Sequence, residues 1–149
     1  LGMFQSGPFV SGEEYNAFLE TWDEEIGGIP PSGFHAHAYD ATNMLLSVIE
    51  EVAIEGEDGS IIIGRQALRD GLSNIEGFAG LTGSLTCQTE APFLGDCATG
   101  EGLAIFELTE AQFEEDGWPP APVWTPADAE GDMDDMDMEE EDAEEESED

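Results

Sequence analysis

The sequence has no lysine and two arginines, Arg65 and Arg69, against 37 aspartates and glutamates among 149 residues. A formal net charge of −35 at pH 7 repels phosphate backbones and anionic lipid surfaces, whose binding depends on basic side chains. The composition therefore argues against a nucleic-acid-binding or membrane-surface protein. It is compatible with life in high salt, with divalent-cation binding or with an extracellular protein, and it does not choose among these.

Long apolar segments are also missing. No run of 18 or more apolar residues occurs, and no basic stretch followed by an apolar one opens the chain. Neither a membrane-spanning helix nor a signal peptide is therefore predicted within it. The chain begins at Leu1 without an initiator methionine, so we expect a fragment or a processed product whose export signal, if it has one, lies upstream.

The acidic residues are concentrated at the C-terminus, where 15 of them lie between Asp128 and Asp149. The apolar side chains of that stretch are methionine and alanine alone, so residues 127–149 are predicted to be a disordered acidic tail. The acids lack the glycine-turned spacing of a Ca²⁺ loop, and we interpret them as solvated charge. Residues 1–126 have the length of one domain.

A capping box predicts the first helix. In Ser11-Gly12-Glu13-Glu14, Ser11 is placed to accept a hydrogen bond from the third helical N–H while Glu14 reaches back. Apolar residues then recur at steps of three and four, which predicts one apolar stripe. The stripe contains Tyr15, Phe18, Leu19, Trp22 and Ile26. Gly27-Gly28 and the prolines that follow are predicted to end the helix.

A second and more apolar helix is predicted over residues 32–53. Its predicted stripe contains Tyr39, Thr42, Leu45, Leu46, Ile49, Val52 and Ala53. After a charged turn, residues 61–63 suit either a short strand or the lead into a third helix beyond Gly64. From Gly77 onward, two or three strands are predicted around residues 78–85, 103–108 and 123–124. Three helices and few strands indicate an α/β fold in which helices pack on an incomplete sheet, as at the end of a larger protein.

The order of several segments resembles a known family. Residues 34–41 read Phe-His-Ala-His-Ala-Tyr-Asp-Ala and precede the apolar helix, after which come Arg-Gln-Ala-Leu-Arg at 65–69, Phe-Ala-Gly-Leu-Thr-Gly-Ser-Leu at 78–85 and Asp96-Cys97. Together they are similar to the C-terminal third of type I periplasmic binding proteins, specifically the Leu/Ile/Val-binding branch. The resemblance covers about residues 1–125 and leaves out the acidic tail.

This resemblance implies the C-terminal part of a two-lobed, hinge-closing Venus-flytrap protein. Such a protein captures an amino acid, here a branched-chain one, for an ABC transporter permease, without a cofactor and without catalysis. The implied location is extracytoplasmic, either periplasmic or as a cell-surface lipoprotein. A sensory ligand-binding domain of the same fold and an acidic, disulfide-clipped structural or interaction domain are the alternatives.

The resemblance also implies site residues. In the family an aromatic residue just before the long helix lines the cleft near the ligand's side chain, and that position is Phe34 here. Its neighbour His35 is expected to face the cleft as well, whereas the groups that hold the ligand's ammonium and carboxylate come mostly from upstream segments. From the residues alone, a core anchor is an equally open interpretation of Phe34. His35 and His37 would need further ligands to bind zinc, and none is evident nearby.

Cys87 and Cys97 are the only cysteines. A disulfide that closes a hairpin loop is the economical interpretation, and it would stabilise the fold by about 2–3 kcal/mol. Two free buried thiols or half of a metal site are the alternatives, although the spacing is not that of a Cys-x-x-Cys motif. A disulfide would place the protein outside the cytoplasm. Asp40 suits a catalytic acid or, as we expect, a first-turn carboxylate that complements the helix dipole.

Overall fold

The computed structural model describes residues 2–97, 101–110 and 120–129. They fall into two units, one formed by the first nine residues with those from Leu103 onward and the other by Val10–Gly102. The elements in chain order are β1 (Met3–Pro8), α1 (Glu13–Glu25), α2 (His35–Val52), β2 (Ile54–Glu55), β3 (Ile61–Ile62), α3 (Arg65–Ser73), β4 (Phe78–Gly80), β5 (Gly83–Leu85) and β6 (Leu103–Leu108). The strands form three two-stranded antiparallel sheets: β1–β6, β2–β3 and β4–β5.

The first unit is built on the β1–β6 ladder, which runs from Met3 opposite Leu108 to Pro8 opposite Leu103. Ala104 and Phe106 on β6 are buried, and Trp124 extends the pairing through an antiparallel bridge to Ile105. The predicted strands at 103–108 and 123–124 are thus found as a strand and a single bridge. Strand β1 was not predicted, because its partner lies about one hundred residues further along the chain.

Helix α1 begins without the predicted capping box. Gly12 is the N-cap, with a φ of 113°, and no side chain caps the helix, so the prediction for Ser11 and Glu14 was wrong. The positive φ at the N-cap is a conformation that glycine adopts easily and a capping serine does not. The predicted end is confirmed, because Ile26 caps the helix and Gly27 and Gly28 take left-handed conformations.

Helix α2 begins at His35, three residues after the predicted start, and its buried face differs from the predicted stripe. Its buried residues recur every fourth position: Ala36, Asp40, Met44 and Val48. Tyr39, Leu45 and Leu46 of the predicted stripe are exposed. The stripe was predicted from hydrophobicity alone, so Asp40 was left out of it. The Asp40 carboxylate is buried because backbone N–H groups donate hydrogen bonds to it.

A short hairpin follows α2, and α3 then packs against α2. Ile61 and Ile62 form a strand, since Ile62 pairs with Ile54, and α3 then starts at Arg65 as predicted. Gly71 lets α3 approach α2 closely, because a Cβ there would overlap a methyl group of Val48.

The core of this unit joins α2 to the β4–β5 hairpin and to the disulfide loop. Met44, Leu85 and Cys87 form a buried cluster, and Ile75 and Phe78 pack against it. Cys87 and Cys97 are joined by a disulfide, as predicted. Inside the loop, backbone hydrogen bonds pair Gln88 with Gly95 and Asp96. The bond thus closes a loop that hydrogen bonds also hold together.

Trp118 and residues 130–149, most of the predicted acidic tail, lie outside the described residues. Within the described ranges, no helix is both long and apolar enough to span a bilayer.

Candidate ligand-binding site at the start of helix α2

Phe34 is the N-cap residue of α2, and its side chain is 60% exposed. Its backbone is fixed on both sides: its N–H donates to Ser32 Oγ at 3.3 Å and its carbonyl accepts from the N–H of Ala38 at 3.0 Å. The ring meets His37 edge to face, with centroids 5.7 Å apart. Phe34 therefore presents an apolar ring to solvent and is not a core anchor of this unit.

His35 links the start of α2 to α1. Its ring stacks on Tyr15 and Phe18, at centroid distances of 5.5 and 5.8 Å. Its Nδ1 faces the carbonyl oxygen of Ser32, and its Nε2 lies 2.8 Å from the Tyr15 hydroxyl. A carbonyl oxygen only accepts, so Nδ1 carries the proton and Nε2 accepts from Tyr15. Both nitrogens thus have partners, and burial raises the pKa of Tyr15.

Further aromatic side chains of α1 extend the contact that Tyr15 and Phe18 make with His35. Phe18 meets the edge of Tyr39 at 5.1 Å and lies 6.0 Å from Trp22. Two residues of the predicted stripe of α1, Tyr15 and Phe18, therefore pack on the first turns of α2, whereas Ile26 of the same stripe is exposed.

Asp40 connects α2 to the turn between β4 and β5. Its Oδ1 accepts the N–H of Leu81 at 2.8 Å, and its Oδ2 accepts the N–H of Thr82 at 2.8 Å and the Thr82 hydroxyl at 2.7 Å. The side chain is 2% exposed. Gly80 makes the approach possible, since a Cβ there would lie 2.6 Å from Oδ2.

Three donors bind this carboxylate, so it is a structural acceptor. The interpretation as a first-turn residue that complements the helix dipole was wrong, because α2 starts five residues earlier, at His35. Sequence reasoning missed this role of Asp40. The signal that was present is Gly80-Leu81-Thr82-Gly83, a tight turn whose N–H groups need an acceptor.

His37 lies between Phe34 and this turn. A Cβ at Gly102 would be 3.0 Å from its Nε2 and 3.2 Å from Thr82 Cβ, so the three residues pack closely. Its Nδ1 is buried and has no hydrogen-bond partner among the described residues. Burial lowers the pKa of His37; the charge of Asp40 opposes this and that of His35 adds to it.

The two histidines point to different neighbours. His35 contacts α1, whereas His37 contacts Phe34 and lies close to Gly102, which also adjoins Thr82. Within the part of the chain that the structure describes, no group of three or more His, Cys, Asp or Glu side chains is arranged to hold a metal ion.

Comparison with protein-family models and with curated proteins finds no match. Among solved structures, the fold is similar to a leucine-binding protein, LivK, of Thermotoga maritima MSB8, with a TM-score of 0.50 and 20% sequence identity. The match covers 73% of this chain and 28% of that protein. The chain thus has a mixed helix-and-sheet fold that matches part of a periplasmic binding protein.

Proposed function

We propose that this chain is part of an extracytoplasmic solute-binding protein that captures an amino acid, specifically a branched-chain one, for uptake through an ABC transporter. The observation that carries the proposal is the exposed ring of Phe34 at the start of α2, in a fold similar to part of a leucine-binding protein. It is the position at which the resemblance places a cleft residue.

The chemistry of the position suits an apolar ligand side chain. Small-molecule sites are mostly apolar, with a few polar groups that fix orientation. Burying a leucine-sized side chain against such a surface contributes about 1.5–3 kcal/mol. His35 has both ring nitrogens engaged, so its contribution to the ligand would come from the ring itself and from holding the backbone next to Phe34.

Capture would proceed by hinge closure. A ligand shifts a protein towards the closed state only by as much as it binds that state better. An apolar side chain that is half-covered in the open state and buried in the closed state supplies such a difference. This chain spans 28% of the length of the similar protein, and we assign the groups that hold the ligand's ammonium and carboxylate to the remainder of a two-lobed protein.

An extracytoplasmic location is supported by the Cys87–Cys97 disulfide, since disulfides persist mainly in oxidising compartments. In that compartment the protein would pass the amino acid to the permease subunits of the transporter, which we propose as its protein partners.

Isothermal titration calorimetry of the complete two-lobed protein with leucine, isoleucine, valine, their amides and short peptides tests the proposal. We expect heat of binding with the free branched-chain amino acids and none with glutamate, which the acidic chain repels. No heat with any of them would overturn amino-acid capture and favour an acidic structural domain. Binding without uptake, when the protein is reconstituted with candidate permeases, would favour a sensory domain of the same fold.

A further inference from the structure

The contact between Phe34 and His37 connects the proposed ligand position to the interior. Phe34 is the N-cap residue and His37 follows three positions later, so both lie on the same side of the first turn of α2. The rings meet edge to face at 62°. Phe34 is 60% exposed, so burial does little to fix the orientation of its ring, and the ring contact found for it among the described residues is the one with His37.

On the side away from Phe34, the ring of His37 lies close to other residues of the same unit. Gly102 lies so close to the ring that a Cβ there would be 3.0 Å from its Nε2, and the same Cβ would be 3.2 Å from Thr82 Cβ. Thr82 is fixed in turn by the Asp40 carboxylate, which accepts both its N–H and its hydroxyl. A series of neighbouring residues therefore runs from the buried carboxylate through Thr82, Gly102 and His37 to the exposed ring of Phe34.

We propose that His37 is a positioning residue that sets the orientation of the Phe34 ring, and that its protonation makes apolar-ligand binding at Phe34 depend on pH. The ligand part of this inference rests on the proposed function. The dependence of the Phe34 ring orientation on His37 does not require a ligand.

The physical reason lies in the buried Nδ1. A neutral imidazole carries a proton on one nitrogen only, whereas the cation carries one on each. A buried donor without an acceptor is costly, so the neutral ring carries its proton on Nε2. Protonation then places an N–H at Nδ1, which has no acceptor among the described residues. Asp40 attracts the cation, but its two oxygens already accept three hydrogen bonds. The charged ring is therefore expected to turn outward, and Phe34 then loses its support.

The titratable groups around His37 all affect the protonation of its ring. Asp40 and His35 lie on the same helix and act on its charge in opposite directions. The β4–β5 turn contributes the hydroxyl of Thr82, and Glu101 adjoins Gly102 in the sequence. Because burial is the largest cause and lowers the pKa of His37, the change is expected below the ordinary histidine value of 6.5.

The first test follows the aromatic ¹³C–¹H NMR spectrum of the full chain between about pH 5 and pH 8. The Phe34 signal is assigned from the Phe34→Leu variant, and the His37 signal, assigned from His37→Gln, reports the titration of that ring. We expect the Phe34 ring resonances to shift with the midpoint of His37, and this shift to be absent in His37→Gln. Phe34 resonances that stay constant, or that titrate unchanged in His37→Gln, would overturn the proposal.

The second test measures the leucine affinity of the complete two-lobed protein as a function of pH. We expect the Kd of the unaltered protein to weaken by about threefold or more on acidification through the His37 midpoint, since half a pKa unit of coupling corresponds to that factor. His37→Gln should give a flat profile. Absence of leucine binding would count against the proposed function while leaving the NMR result decisive for the positioning role, and binding with no pH dependence would contradict the pH coupling.

Discussion

Asp40 joins two segments of the chain that lie 41 residues apart, through hydrogen bonds to consecutive backbone N–H groups. An asparagine in its place would offer one acceptor oxygen and turn an NH₂ group towards a backbone donor. Hydrogen bonds to a charged acceptor are stronger than neutral ones, and a buried donor left without a partner is costly. We therefore expect Asp40→Asn to lower the free energy of unfolding by about 2–3 kcal/mol in urea denaturation.

Asp23→Asn is the matched control for this substitution. Asp23 accepts a single backbone N–H, from Gly28 at 2.6 Å, in an exposed position at the end of α1. Water can replace that bond, so the control should lose less than about 1 kcal/mol. Equal losses in the two variants would show that the Asp40 carboxylate does not hold the β4–β5 turn.

At the scale of the elements, the packing of α3 on α2 depends on Gly71. In an exposed helix, replacing glycine with alanine stabilises by up to about 1 kcal/mol. Here the added methyl would overlap a methyl of Val48, which is 3% exposed and stiff because it is β-branched. Gly71→Ala is therefore expected to destabilise the protein by about 1–3 kcal/mol in urea denaturation.

A double substitution separates this overlap from other effects of Gly71→Ala. Removing the Val48 methyls in Val48→Ala makes room for the new Cβ, so Gly71→Ala should cost less in that background than alone. An increase in stability for the single variant, or strictly additive effects in the double variant, would contradict close packing at this position.

Local sequence pattern predicted the elements whose signals are local. The spacing of Tyr15, Phe18 and Trp22 and the glycines after Ile26 predicted α1 and its end, and glycine-rich β segments predicted β4 and β5. The pairing of β1 with β6 and the burial of Asp40 could not be predicted in this way. Both depend on partners far along the chain, which the residues next to them do not reveal.

The residues of the candidate site were likewise predicted only in part. Phe34 was identified through its family-like position, and its exposure is compatible with that role. The role of His37 was not predicted, because it depends on Gly102 and Thr82, two segments that meet only in the folded chain.

At the scale of the whole molecule, the net charge of −35 should make stability depend on salt. Like charges destabilise a compact state, and screening shortens their reach from about 10 Å at 0.1 M to about 3 Å at 1 M ionic strength. We expect the Tm at pH 7 to rise by about 5 °C or more between low salt and 1 M sodium chloride. Near pH 4, close to the sequence pI of about 4.1, the effect should largely disappear. The same rise at both pH values would assign it to some cause other than charge repulsion.

The measurement that tests the account most directly is the calorimetric affinity for leucine of the complete two-lobed protein, unaltered and with Phe34→Ala or Phe93→Ala. Phe93, in the disulfide loop, is 64% exposed and so matches Phe34 in type and exposure. Losing an apolar contact of about 2 kcal/mol or more predicts at least a roughly thirtyfold weaker Kd for Phe34→Ala, with Phe93→Ala unchanged. Equal affinities for Phe34→Ala and the unaltered protein, or no heat with leucine at all, would contradict amino-acid binding at the start of α2.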